Sequence, residues 1–352
     1  MVVLGSTGSI GRAVLDVARR YALPVEVLVA GKNVELLRAQ AAEFKPTKVL
    51  AATDGESAIL DVIADAKSDL VINAIVGSPG LKPTLKALEC SKKLAIANKE
   101  SLVIAGKFIA EMPAARQIRP IDSEHFGLWY LLRGRDLASV KRLVITASGG
   151  ALRDYAISEI ANAPLKAVLR HPNWQMGAKI TTDSATMVNK LFEILEARHL
   201  FGASQIDAFL ERNSAIHALV EFRDGSIAAQ FAPNDMRLTI AFAILGDVAE
   251  PFAGRVDLTA LGAGRFEEID EARYPVWRLK NLLLEKPELG AILNAANEAA
   301  VEAFLARKAP FGAIALTILA AFERFSAPPA TIEEALALHD EVLRWAQKSL
   351  RY

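Results

Sequence analysis

The sequence predicts an α/β protein: a parallel sheet at the N-terminus, a mixed α+β region after it, and helices at the end. Three observations carry that reading. Short β-rich runs alternate with helical patterns over the first third, the alternation stops near Pro120, and helical periodicity without strands fills residues 273–352.

The first part holds the strands VVL, VEVLVA, KVLAAT, DLVINAIV and KLAIAN. Between them lie the helical patterns RAVLDVARRYAL, VELLRAQAAEF and LKPTLKALECSKK, and a further helix starts at about Glu100. Repeated strand–helix–strand units imply a parallel sheet over residues 1–121. In residues 122–247, RLVITAS, LKAVLRH, AIHALVEF and SIAAQFA read as strands, the last two joined as a hairpin around RDGS. A long helix from about Ala185 to His199 separates them. Residues 248–272 carry Gly, Pro and Asp without periodicity and read as a linker. NEAAVEAFLAR, FGAIALTILAAFERF and TIEEALALHDEVLRWAQKSL then form helices, with Thr331 as N-cap and Glu334 at the capping-box position.

A length of 352 residues suits two or three domains. Hydrophobic residues at 52 % supply their cores, and 41 basic against 41 acidic residues leave no net field to draw nucleic acid or a membrane surface. The single cysteine, Cys90, cannot form an internal disulfide, which fits a reducing cytoplasm. No apolar run approaches the ~20 residues that span a bilayer, and the opening MVVLGSTG lacks the basic start of a signal peptide. The expectation is a soluble cytoplasmic enzyme or binding protein.

Four stretches carry chemistry. GSTGSIG follows a strand and opens a helix, so Gly5, Gly8 and Gly11 let the backbone approach a pyrophosphate. A ligand-free glycine turn gives the same pattern. The second strand ends in Gly31-Lys32-Asn33 with no acid for a ribose hydroxyl, and a cation there suits the 2′-phosphate of NADPH; an ordinary surface lysine is the alternative. In PIDSEHF, an extended segment projects Asp122 and Glu124 to one side, where like charges need a cation between them. Glu193 can add a third oxygen ligand for Mg²⁺ or Mn²⁺. The same D-x-E spacing is common on solvated loops. Last, Asn189, Lys190 and Glu193 share a broad helix face, with Ser184 and Thr186 at its start where amides favour an anion, and Ser148 sits before glycines in ITASGGALR. Helix capping and a Lys–Glu pair are the simpler account of those residues taken alone. His125, His199 and His339 read as polar surface or interface residues, Trp129, Trp277 and Trp345 as packing, and His217 as a support behind the site or plain structure.

Taken together, GSTGSIG, AGKNVELL, NAIVGSPGLKPTL, ANKESLV, DSEH, ITASGG, HPNWQMGAKITTDSATMVNK and LNAANEAAVEAFL resemble the 1-deoxy-D-xylulose 5-phosphate reductoisomerase family, in its order and over nearly the whole chain. The resemblance implies an N-terminal Rossmann-like NADPH domain, an α+β catalytic domain with a mobile lid loop at about 171–179, a linker, a C-terminal helical bundle, and a homodimer. It implies coenzyme contacts at Thr7, Gly8, Ser9, Ile10, Gly31, Lys32, Asn33, Asn98, Glu100 and Gly177. Metal ligation falls on Asp122, Glu124 and Glu193, for Mg²⁺ or Mn²⁺ with Co²⁺ as a further candidate. Contacts to a small phosphorylated sugar fall on Lys99, Ser123, Glu124, Ser148, His171, Ser184, Asn189, Lys190 and Glu193, under a lid carrying Trp174 and Met176. Lys99, Glu124, His171 and Glu193 are the catalytic candidates. The chain departs from the family at Leu191-Phe192, usually Gly-Leu, at Glu211-Arg212-Asn213-Ser214, usually His-Pro-Gln-Ser, at Phe126-Gly127-Leu128-Trp129 and at Asn234. An NADP-dependent semialdehyde or homoserine-type dehydrogenase and a non-catalytic NADPH-binding regulator are the competing readings.

Overall fold

A computed structural model describes residues 1–259, 261 and 265–350. They divide into two compact units. The first joins Met1–Ser101, Ile109–Phe126 and Asp235–Arg255; the second joins Leu102–Phe108, Gly127–Asn234 and the chain from Val256 onward.

The first unit is built on a parallel sheet of β1 (Val2–Leu4), β2 (Val27–Ala30), β3 (Lys48–Ala51), β4 (Leu70–Asn73), β5 (Lys93–Ile96) and β6 (Ile118–Pro120). Their order is β3-β2-β1-β4-β5-β6, the doubly wound Rossmann-like arrangement. β1 pairs with both β2 and β4, with Val3 opposite Leu28 and Ile72. The strand order therefore reverses at β1 and β4, and such folds bind ligands outside the strand ends at that point. The central strands are apolar, apart from the buried Asn73 that ends β4, because helices cover both faces of a parallel sheet. Residues 235–255, which the sequence assigns to the middle region and linker, pack in this unit. Ile240, Ala241 and Ala243 of the helix Met236–Leu245 join Val14, Leu15 and Ala18 in its core. Arg20 then reaches Glu250 at 3.0 Å and lies 4.4 Å above the Phe252 ring.

The second unit holds a mixed sheet of β7 (Val140–Ala147), β8 (Ile206–Glu211), β9 (Ile216–Phe222), β10 (Ile227–Phe231) and β11 (Phe266–Glu267), ordered β10-β9-β7-β8-β11. β7 and β8 run parallel and the other pairs antiparallel, with β9 and β10 forming the hairpin around the Arg223–Ser226 turn. The helix Val188–Phe201 packs on β8. The helix Gly290–Leu305 is buried nearly all round between Gly312–Arg324 and Ile332–Ser349. Thr331 caps the last helix, its Oγ1 accepting from the Glu334 amide at 3.2 Å. Glu334 reaches back to the Ala330 amide, one residue before the N-cap, at 2.7 Å.

Four elements differ from the sequence reading. LKAVLRH is not a strand: Pro164 starts a single helical turn, Leu165–Val168, with the Ala167 amide on the Pro164 carbonyl at 2.8 Å. The long helix expected from about Ala185 begins instead at Val188 and runs to Phe201; a separate helix, Ala178–Thr186, precedes it, and the two are divided where Met187 adopts a left-handed conformation, φ 71°. IDAFLE, unassigned from sequence, is the interior strand β8, between β7 and β11. The 248–272 stretch contains β11. Among the described residues no helix is long and apolar enough to cross a membrane.

Gly11 lies inside the helix Ser9–Arg20, yet a Cβ there would fall 2.2 Å from the Gly5 carbonyl oxygen and 2.5 Å from Ser6 Cα. Gly11→Ala gains ~1 kcal/mol of helix propensity but drives a methyl into backbone. We expect a net loss of roughly 1–3 kcal/mol, read as a lowered Tm and urea midpoint; an unchanged or raised midpoint contradicts the close packing.

Candidate active site

In the first unit the glycine loop is formed as its spacing requires. Gly5 has φ 82° and no room for a side chain, since a Cβ would lie 2.5 Å from the Ala74 carbonyl oxygen. Gly8 is the N-cap of Ser9–Arg20, and Gln40 Nε2 steadies the loop by donating to the Ser6 carbonyl at 2.9 Å. Thr7, Gly8, Ser9 and Ile10 thus sit at the C-terminal end of β1, where first-turn amides lack intrahelical partners and favour an anion. Gly31 and Lys32 are exposed at the end of β2, and Asn33 caps the next helix by accepting from the Leu36 amide at 3.1 Å. Asn98 is committed to the fold: its Oδ1 caps Lys99–Glu111, and its Nδ2 donates to the Ile75 and Gly77 carbonyls and to Glu100 at 2.7, 2.9 and 3.0 Å. Gly177 belongs to the second unit, where it is the N-cap of Ala178–Thr186.

Lys99 follows Asn98, and its buried Nζ meets Asp122 Oδ2 at 3.0 Å. DSEH is not extended. Asp122 accepts from the Glu124 amide at 3.1 Å and opens the helix Ser123–Leu132, whose first turn carries Glu124. Helical geometry, not strand alternation, brings the two carboxylates together. Ser123 Oγ donates to Glu124 Oε2 at 2.6 Å. His125 is 0 % exposed, with Nδ1 3.1 Å from Asp122 Oδ1, so the surface reading of this histidine is wrong. His339 is also buried, against Asn294, and His199 packs its ring onto Gly106. Burial drives the pKa of His199 down to about 4.

The second unit gathers the other predicted residues. His171 Nδ1 accepts from the amides of Asn173 and Trp174 at 3.2 and 3.0 Å. That fixes the neutral tautomer, so Nε2 carries the proton and donates to Ser148 Oγ at 2.9 Å. Ser148 Oγ also accepts from the Gly150 amide at 3.1 Å, which leaves its own proton for an incoming oxygen. Gly150, φ 71°, lies so close to Ser184 that a Cβ would meet the Ser184 carbonyl oxygen at 2.7 Å. The ASGG loop is thereby laid against Ser184, which sits at the C-terminal turn of its helix and not at an N-terminus. The amide-rich start belongs instead to Val188–Phe201, whose first turns carry Asn189 and Lys190. Both donate to the Glu193 carboxylate. Glu193 and Lys190 are 1 % and 3 % exposed. Trp174 stacks edge-on with His217 at 6.2 Å, and His217 Nε2 lies 3.2 Å from the Ala232 carbonyl oxygen, so His217 supports the segment that carries Trp174. Met176 is half-buried on the same segment.

Models of this family's parts match successive stretches of the chain. One for 1-deoxy-D-xylulose 5-phosphate reductoisomerase matches residues 1–54 and 50–106, and two for its C-terminal domains match 118–201 and 231–345. The reductoisomerase of Nautilia profundicola is 51 % identical over 99 % of this chain and 100 % of its own length. The chain belongs to the 1-deoxy-D-xylulose 5-phosphate reductoisomerase family. The Wolinella succinogenes member is 50 % identical with similar coverage. A reductoisomerase crystallised with NADPH, fosmidomycin and magnesium superposes with a TM-score of 0.91 at 33 % identity, covering 99 % of this chain and 97 % of that one. The Zymomonas mobilis enzyme with NADPH gives 0.87 at 32 %, covering 99 % and 98 %.

Where the chain departs from the family's usual residues, the fold absorbs the change. Leu191 and Phe192 are both fully buried in the core of the second unit, and the Lys179 ammonium lies 4.9 Å over the Phe192 ring. Asn234 precedes Asp235, the N-cap of Met236–Leu245. Sequence reasoning missed Asn173, whose Nδ2 donates to the Arg212 carbonyl and Ser214 Oγ, and Arg153, which ties the Ser148 and Arg212 carbonyls. HPNW marks Asn173; nothing local marks Arg153.

Partial burial, then the nearby Arg153 guanidinium, lowers the His171 pKa from 6.5 to about 4. Because the folded value lies below the unfolded one, the stability drawn from the neutral ring is present above pH 6.5 and is lost as the pH falls through about 4. An NMR titration of the His171 ring should show it neutral at pH 5.5; titration near 6.5 contradicts the double acceptance at Nδ1.

Proposed function

We infer that the chain catalyses the NADPH-dependent, metal-assisted conversion of 1-deoxy-D-xylulose 5-phosphate to 2-C-methyl-D-erythritol 4-phosphate in isoprenoid precursor biosynthesis. The full-length match to reductoisomerases carries this reading, and the chain holds the charged residues the chemistry needs. We further propose roles for individual residues. Thr7, Gly8, Ser9 and Ile10 receive the coenzyme pyrophosphate on helix amides, and Lys32 faces its 2′-phosphate. Gly31, Asn33, Asn98, Glu100 and Gly177 complete the coenzyme's contacts.

Asp122, Glu124 and Glu193 offer an oxygen-only donor set that fits a hard divalent cation, Mg²⁺ or Mn²⁺ and by the same argument Co²⁺. When bound, such an ion supplies Lewis acidity for the rearrangement, and NADPH supplies the hydride. Lys99 neutralises Asp122 and orients the reacting end of the sugar beside Ser123. Ser148, Ser184, Asn189 and Lys190 grip the phosphate, with His171 holding Ser148 as an outward donor. That remote grip supplies binding energy to order the reacting carbons. Trp174 and Met176 cover the substrate and exclude water. A homodimer in the cytoplasm belongs to the same proposal; the lone Cys90 suits that compartment.

The test is an NADPH-oxidation assay with 1-deoxy-D-xylulose 5-phosphate. Turnover should require Mg²⁺ or Mn²⁺, stop with EDTA and return on adding the metal back. Glu193→Gln should lower kcat by roughly 10²–10³-fold. Turnover that survives chelation would instead point to a metal-free semialdehyde-type dehydrogenase. Trp174→Ala should raise the sugar-phosphate KM or lower kcat, and a variant unchanged in both removes the lid role.

A further inference from the structure

The turn between β8 and β9 is held by one buried carboxylate. Glu211, 2 % exposed, ends β8 and folds its side chain back over the following residues. Its Oε1 accepts from the Asn213 amide at 3.0 Å, and its Oε2 accepts from the Ala215 and Ile216 amides at 2.8 and 3.3 Å. The Ser214 amide closes the turn on the Glu211 carbonyl at 3.2 Å, with Ser214 in the left-handed region at φ 52°. Charge-assisted bonds of this kind are about twice as strong as neutral ones. A turn fixed at three amides by one ion has little freedom.

What the turn presents is specific. Its Arg212 carbonyl and Ser214 Oγ both accept from Asn173 Nδ2, at 2.8 and 2.6 Å. Asn173 lies between His171 and Trp174, and its amide donates to His171 Nδ1. The Arg212 carbonyl also accepts from Arg153 Nη1 at 2.9 Å, and the same nitrogen donates to the Ser148 carbonyl at 2.8 Å. Arg212 itself is braced outward by Asp154 at 2.6 Å and by Glu267 of β11 at 3.1 Å. The turn is therefore the common support of two segments that carry proposed substrate contacts. Each rests on it through its own hydrogen bond.

We propose that Glu211 is a positioning residue for the reductoisomerase reaction, acting through the 211–214 turn and Asn173 to set the place of His171 and Trp174. It touches neither substrate nor coenzyme. The proposal rests on the lid and phosphate roles given above, and its effect belongs on the sugar-phosphate side of the reaction alone. Loss of the carboxylate frees the turn, lets Asn173 drift, and loosens the neutral His171 that aims Ser148.

Glu211→Gln, Asn173→Ala and the double variant distinguish this from a general structural role. General destabilisation lowers the active fraction, cutting kcat while leaving both KM values in place. Positioning predicts a roughly tenfold or larger rise in the KM for 1-deoxy-D-xylulose 5-phosphate in each single variant, with the NADPH KM within about twofold of wild type. The double variant should be no worse than the poorer single one, because both changes break the same link. Should Glu211→Gln fold too poorly to assay, Ser214→Ala replaces it in the cycle, since it removes the turn's hydroxyl acceptor and keeps the carboxylate. Additive effects, or equal rises in both KM values, overturn the proposal. Wild-type protein that fails to turn over the sugar phosphate overturns the functional reading itself, whereas active wild type with variants unchanged in KM overturns only the role of Glu211.

Discussion

Glu193 places a carboxylate in the middle of a helix whose neighbours on either side, Phe192 and Ile194, are fully buried. An ion in that setting is tolerated only when counter-charge and donors surround it, and removing one partner of such a pair typically costs ~3–5 kcal/mol. Lys190 and Asn189 supply them from the preceding turn. The break at Met187 puts Asn189 and Lys190 in the opening turns of a new helix, where they can meet both Glu193 and an anion arriving from outside. Apolar residues would pack this helix as well or better. The fold instead keeps a costly arrangement of the residues proposed above to meet a sugar phosphate and a metal ion.

A second polar cluster is treated the same way in the other unit. Lys99 and Asp122 are partnered and largely withdrawn from water, and His125 beneath them is sealed from solvent. Asp122 spends one oxygen on a helix amide and the other on an ammonium, so its position is fixed from two directions. Such preorganisation is expensive for the fold and useful for chemistry, because the groups need no rearrangement when charge develops nearby.

The parallel sheet was legible from sequence because strands buried on both faces are continuous apolar runs, each followed by an amphipathic helix. Strand β8 was not: IDAFLE carries Asp207, which pairs with Arg142 and Lys280, and those partners are remote in sequence. LKAVLRH alternates like a strand, but a preceding proline and one turn of local hydrogen bonds win over the pattern. The break at Met187 has no glycine or proline to announce it; tertiary packing imposes the left-handed residue. Of the candidate site, the glycine loop could be read directly. The DSEH carboxylates were identified with the wrong local geometry, and Ser184 was placed at the wrong end of a helix. The buried histidines were misjudged because burial of a polar ring depends on distant partners that no local window contains.

The return of residues 235–255 to the N-terminal sheet unit has a consequence for how the protein comes into being. The nascent chain delivers all six parallel strands early, yet Ile240, Ala241 and Ala243, which fill that core, are still inside the ribosome or not yet synthesised. At typical elongation speeds the interval lasts on the order of ten seconds. During it the flank of Ser9–Arg20 stays bare, open to chaperones or to premature association. Completion of the core of the N-terminal sheet unit is thus tied to synthesis of the intervening polypeptide.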